Sequence, residues 1–85
     1  MPWKLIIAPR AERDLAALPT RDREAIRQVL RRLANAPDTT DLKRLGGRRG
    51  EWRVRVGRWR LILELNNATG EMSVTRVLPR KDAYR

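Results

Sequence analysis

The sequence predicts an α+β fold in which a helical hairpin covers one face of an antiparallel sheet. Two observations carry the prediction: apolar residues recur with a helical period between residues 10 and 35, and the period changes to two after residue 50. A third is size. Eighty-five residues make one small domain, 1–85, with no internal repeat, low-complexity tract or linker.

Trp3 to Ile7 is rich in β-type residues and precedes Pro9, which predicts a short N-terminal strand. Ala11, Leu15 and Leu18 then recur at i, i+4 and i+7, giving a short amphipathic helix stopped by Pro19. A second helix follows, with Thr20 as its expected N-cap. Asp22 and Glu24 sit at its positive end, and Arg31 and Arg32 at its negative end. Ile26, Val29, Leu30, Leu33 and Ala34 form one apolar stripe, and Asn35 to Pro37 ends the helix. Neither helix concentrates net positive charge, so the hairpin reads as scaffold.

The segment from Ala36 to Gly50 reads as a loop. Beyond it, Trp52, Val54 and Val56 alternate with Arg53 and Arg55, and Trp59, Leu61, Leu63 and Leu65 alternate with Arg60, Ile62 and Glu64. Gly57-Arg58 suits a two-residue type II′ turn, which pairs Val56 with Trp59, Arg55 with Arg60 and Val54 with Leu61. One face of this hairpin is then apolar and the other presents Arg53, Arg55 and Arg60. Two arginines directly opposite each other repel, which favours an anion between them. Asn66 to Gly70 is turn-rich, and Glu71 to Leu78 supplies the third strand of a meander packed on the helices. Pairing Leu65 with Glu71 would set Arg76 opposite Arg60 and enlarge the cationic face. Pro79 ends the strand and leaves a basic tail ending in Tyr84 and Arg85.

Lys plus Arg number 20 against 10 Asp plus Glu, a net charge of +10, and 17 of the cations are Arg. Residues 1–42 carry a net +2 and residues 43–85 a net +8. A polyanion, above all nucleic acid, is the partner such a surface selects. Lys43, Arg44, Arg48, Arg49, Arg76 and Lys81 are the expected RNA contacts outside the central arginines. With no Cys and no His, disulfides, thiolate or imidazole metal sites and His-based catalysis are set aside, and no cofactor is called for. The apolar runs are too short for a membrane span or a signal peptide, so a cytoplasmic protein with no membrane contact is expected.

RNA carries its own nucleophile in the 2′-OH, so cleavage needs a proton acceptor, positive charge for the phosphorane and a proton donor for the leaving oxygen. Arg53, Arg55, Arg60 and Arg80 can stabilise charge but cannot act as bases. Tyr84 leads the proton-transfer candidates, followed by Lys81, Glu51, Glu64 and Asp82. Residue chemistry alone leaves binding without catalysis open.

The run from Gly50 to Glu64, GEWRVRVGRWRLILE, resembles the W/Y-R-x-R-V-G-D-Y-R-V-I-Y-E pattern of the RelE/ParE toxin superfamily. Leu42 to Gly46 resembles the K-x-L-x-G that precedes it, and Arg80 to Tyr84 the terminal R-R-E-V-Y. The resemblance implies a RelE-like α+β toxin of a type II toxin–antitoxin pair, held by a cognate antitoxin. The favoured activity is a ribosome-dependent endoribonuclease acting on mRNA. The alternatives are a ParE-like inhibitor of DNA gyrase and a non-catalytic basic nucleic-acid-binding domain. Matched position by position, the catalytic basic pair falls on Arg53 and Arg55, the second-strand arginine on Arg60, the transition-state arginine on Arg80 and the terminal tyrosine on Tyr84. The pattern's Lys is replaced by Arg in the basic pair, and Pro79 stands where a His is common; both departures weaken proton transfer. Removing charge at Arg60 or Arg80 is expected to abolish cleavage and leave the fold intact.

Overall fold

A computed structural model of the chain describes residues 3–35, 42–44, 51–66 and 68–79. The element order is β1 (Lys4–Ile7), α1 (Pro9–Ala16), α2 (Thr20–Asn35), β2 (Leu42–Arg44), β3 (Glu51–Val56), β4 (Trp59–Asn66) and β5 (Glu71–Pro79). The strands form one five-stranded sheet in the order β1-β5-β4-β3-β2, with β1 parallel to β5 and the other pairs antiparallel. The α+β class, the N-terminal strand, the helical hairpin and the meander are as the sequence predicts.

Pro9 occupies the first turn of α1, where its missing N–H costs nothing. The second helix starts one residue earlier than its expected cap implies. Thr20 is already helical, and the Arg23 N–H donates to the Pro19 carbonyl at 3.0 Å, which puts Pro19 in the capping position. Ala11 and Leu15 of α1 and Ile26, Leu30 and Leu33 of α2 bury against Val54, Leu61, Leu63, Met72, Val74 and Val77. These sheet residues share one face, so the core lies between the helices and that face. Trp59 adds a polar stitch: its indole N–H donates to Asp22 Oδ2 at 3.0 Å, fixing β4 to the start of α2.

The β3–β4 register is the expected one, with Val56 opposite Trp59, Arg55 opposite Arg60 and Val54 opposite Leu61. Gly57 has φ +58° and no non-glycine residue among those described has positive φ, so Arg58 stays on the negative side, as a type II′ turn requires. Asn66 folds the next connection on itself: its side-chain oxygen accepts from the Ala68 and Thr69 N–H groups at 3.0 and 3.3 Å, and its carbonyl from Gly70 N–H at 2.8 Å.

Two features differ from the sequence reading. Leu42–Arg44 is a strand inside the segment read as a loop, pairing with Val54–Trp52. A three-residue element shows too little periodicity to be recognised. The second difference is register. Leu65 pairs with Met72, not Glu71, and a bulge then places Arg76 opposite Ile62 while Arg60 lies opposite Leu78. Thr75 is the extra residue, and its hydroxyl donates to the Ile62 carbonyl at 3.1 Å. Were Thr75 paired regularly with Ile62, Arg76 would fall opposite Leu61 on the core face. Because Thr75 is bulged out of the pairing, Val77 takes that place and is 3% exposed.

Candidate nucleic-acid interface

The face of the sheet turned away from the helices is where β3 and β4 place their arginines, because the apolar members of both strands fill the other face. Arg53 is half-buried, Arg55 is exposed, and Arg60 is 1% exposed although it belongs to the face that does not contact the helices. Each makes an interaction within the protein. Two cross-strand rows organise the surface. Lys43, Arg53, Ile62 and Arg76 are successive partners across β2 to β5, and Arg55, Arg60 and Leu78 across β3 to β5. At a strand spacing of about 4.8 Å, the first row carries cationic residues across roughly 14 Å of sheet.

Burial of Arg60 overturns one expectation. Truncating it would remove an enclosed side chain, so fold and activity would fall together. Arg55, with its exposed side chain, is the position where charge can be removed without opening the interior.

Arg76 is placed elsewhere than expected. Its Nε donates to Asp14 Oδ2 at 2.9 Å and its Nη2 reaches Asp14 Oδ1 at 3.5 Å, so its charge is directed to α1 rather than to Arg60. The Val77 backbone N–H donates to the same Oδ2 at 2.9 Å. Pairing of β5 with β1 stops at Val74, and Asp14 satisfies a donor on β5 beyond that point. Burial alone would push the Asp14 carboxyl up. The hydrogen bonds from Arg76 and Val77, with the nearby charges of Arg76 and Arg10, outweigh this and hold it below its ordinary value.

The sheet face also holds an arrangement the sequence reading did not foresee. Glu51 and Glu64 are direct partners across β3 and β4, next along the pleat from Arg53. Their signal was available, since the register that opposes Arg55 and Arg60 also opposes 51 and 64. Two carboxylates therefore stand at one end of the arginine face, within the same hairpin. Lys43 and Arg44 are placed by β2 opposite Arg53 and Trp52. Arg48, Arg49, Arg80, Lys81, Asp82 and Tyr84 lie outside the described residues. No described helix is long and apolar enough to cross a membrane.

Chemically, the arrangement offers fixed positive charge beside carboxylates on a rigid hairpin, the combination that binds a phosphodiester and can move a proton near it. A family model for the ParE toxin of the type II toxin–antitoxin system parDE matches residues 5–84. The toxin RelE3 of Methanocaldococcus jannaschii is 31% identical over 85 residues, covering 95% of this chain and 94% of that one. Among solved structures, the RelBE2 toxin–antitoxin complex of Mycobacterium tuberculosis superposes with a TM-score of 0.80 at 27% identity, over 94% of this chain and 100% of the other. The RelB–RelE complex of Methanococcus jannaschii gives 0.78 at 27%, over 93% and 94%. A free-state variant of E. coli RelE, 17% identical, shares the fold with a TM-score of 0.81 over 99% and 90%. The chain belongs to the ParE toxin family, within the RelE/ParE superfamily, and is a toxin of a type II toxin–antitoxin system.

Proposed function

We propose that this toxin is a ribosome-dependent endoribonuclease that cleaves mRNA in the cytoplasm and is neutralised by a cognate antitoxin. The observation that carries the reading is the convergence of Arg53, Arg55 and Arg60 on one sheet face beside Glu51 and Glu64. The relatives named as RelE toxins, two of them solved with RelB antitoxins, add support. In the reaction the 2′ oxygen attacks the adjacent phosphorus, the new O2′–P bond forms as the P–O5′ bond breaks, and a cyclic phosphate and a free 5′-OH result. The 2′-OH proton passes to an acceptor and the leaving O5′ receives one from a donor. Arginine charge stabilises the phosphorane. Glu51, Glu64 and Tyr84 are the acid–base candidates, and the resemblance gives Arg80 transition-state stabilisation and Tyr84 stacking on substrate. Lys43, Arg44, Arg48, Arg49 and Lys81 add phosphate contacts. Arginines cannot take the proton, so the ribosome supplies substrate geometry that a weak acid–base set lacks.

The match of the ParE model to residues 5–84 favours a second reading, inhibition of DNA gyrase. One preparation separates them. Messenger 5′ ends are mapped on translating ribosomes, and supercoiling by gyrase is followed beside them. New in-frame cuts that vanish in Arg55→Ala and Arg80→Ala support the nuclease. Intact messenger with blocked supercoiling overturns it in favour of gyrase. Neither effect, with no growth arrest on expression, leaves a basic binding domain.

A further inference from the structure

From sequence, neither helix concentrates net positive charge and the hairpin reads as scaffold. The fold turns two of its acids inward. Asp14 is turned to Arg76 and Val77, and Asp22 to the Trp59 indole. What remains outside is one-sided. Arg21, Arg27, Arg31 and Arg32 of α2 are exposed, with Glu24 the one exposed acid of that helix, a net +3 on its solvent arc. Exposed Arg10 and Arg13 against exposed Glu12 extend the same sign onto α1. From Arg21 to Arg32 the arc runs about 17 Å at 1.5 Å per residue, long enough to meet several phosphates. Arg27 and Arg31 stand one turn apart, a like-charge pair that costs the helix a few tenths of a kcal/mol where nothing anionic answers it.

We infer that the solvent arc of α2 is a second nucleic-acid surface, binding the phosphate backbone of duplex RNA on the side of the molecule opposite the Arg53, Arg55 and Arg60 face. The chemistry of the arc selects this occupant. It exposes no aromatic side chain on which an unpaired base could stack, which disfavours a single strand. Its one exposed apolar residue is Ala25, so it lacks the large buried anchor that a protein interface is built around. Guanidinium groups on a rigid helix suit a regular array of phosphates, which a duplex presents without needing its bases read. RNA rather than DNA follows from the nuclease reading, on which the inference rests in this respect. Such a toxin holds structured RNA with its helices while its sheet addresses a messenger strand.

The test is duplex binding by two variants of equal net charge. Arg27→Gln/Arg31→Gln removes two cations from the helix arc, and Lys4→Gln/Arg58→Gln removes two exposed cations from the sheet side that lie outside the Arg53, Arg55 and Arg60 site. Each is titrated with a 16-base-pair RNA duplex across a salt series, with a DNA duplex of the same length beside it. The helix-arc variant is expected to lose about tenfold in affinity for the RNA duplex at physiological salt and to lower the log–log salt slope by about two, one per contact. The sheet-side variant should retain both. Equal weakening by the two variants would mean that only net charge matters and overturns the inference, as would unchanged binding by the helix-arc variant. Tighter binding to the DNA duplex, or an arc that responds only to an acidic protein, overturns it equally. No cleavage is measured, so the nuclease reading can fail while RNA-duplex binding through α2 persists, and the two failures stay distinguishable.

Discussion

Substituting Asp14 opens a polar clasp that joins α1 to β5 beyond the end of β1. Its carboxylate accepts from Arg76 Nε and Val77 N–H, both at 2.9 Å, and the side chain is 17% exposed against 35% for Arg76. A hydrogen bond to a charged group contributes about 1.5–3 kcal/mol, and a buried donor left unsatisfied costs about 1–3 kcal/mol. The Arg76 share is discounted towards about 0.5–1 kcal/mol because its guanidinium is partly in water. Asp14→Ala should therefore destabilise by about 2–3 kcal/mol, a fall in Tm of about 10–20 °C for a domain this size. Asp14→Asn keeps an acceptor for Val77 and loses the charge, so about 1 kcal/mol is expected. The pH dependence gives a sharper check. The folded carboxyl has the lower pKa, so the unfolded chain takes up the proton first as pH falls. The stability this depression contributes is complete above the unfolded value of roughly 3.9 and is lost as pH falls through the lowered folded value. Denaturant melts of wild type and Asp14→Asn should thus differ near neutral pH, and the difference should shrink as pH falls below the unfolded value of roughly 3.9. A difference that stays constant as pH is lowered from there would refute the electrostatic account. An Asp14→Ala cost below about 0.5 kcal/mol would refute the clasp itself.

Deleting Thr75 should remove the bulge while keeping Arg76 opposite Ile62 and Val77 opposite Leu61, so the core is preserved and the cost by chemical denaturation should be about 1 kcal/mol, for the lost hydroxyl bond to the Ile62 carbonyl. Trp59→Phe keeps the ring and loses the 3.0 Å bond to Asp22, for which about 1 kcal/mol is expected by chemical denaturation. Gly57→Ala meets nothing within 4 Å but must hold φ +58°, so it should cost about 1–2 kcal/mol from backbone strain alone, and a glycine-to-asparagine change at the same site should cost less.

The legible parts of this fold are those whose information is local. The second helix combines five apolar positions at helical spacing with charges suited to its dipole, and its predicted span is met within a residue. The first hairpin is fixed by Gly57, whose position in a two-residue turn sets every pair from Val56–Trp59 to Glu51–Glu64. The last strand resisted because its period is broken: Met72, Val74 and Val77 are buried, not 72, 74 and 76. That spacing is the sequence trace of the bulge, and strict alternation conceals it. Nothing local in the sequence marks Asp14, because its partners lie 62 and 63 residues away. Arg60 was read correctly by face and wrongly by depth, since a pleat assigns a side chain to one side of a sheet without saying what lies over it.

Asp14 and Asp22 connect stability to function in this chain. An 85-residue domain buries a modest core, and its polar stitches between helices and sheet carry a large part of its margin. Both stitches use an acid from the helical layer. Drawing these carboxylates inward secures α1 to β5 and α2 to β4, and it leaves the outward helix surface to arginine. The solvent arc of α2 thus keeps the net +3 that the helix has by composition, with Glu24 its one exposed acid. With like charge on both sides of the sheet, the protein repels its own kind and is attracted to polyanions over most of its surface. A neutralising protein has to do more than block the sheet face: unless it also lowers the field of the helix arc, the toxin can remain bound to RNA while its reactive face is covered.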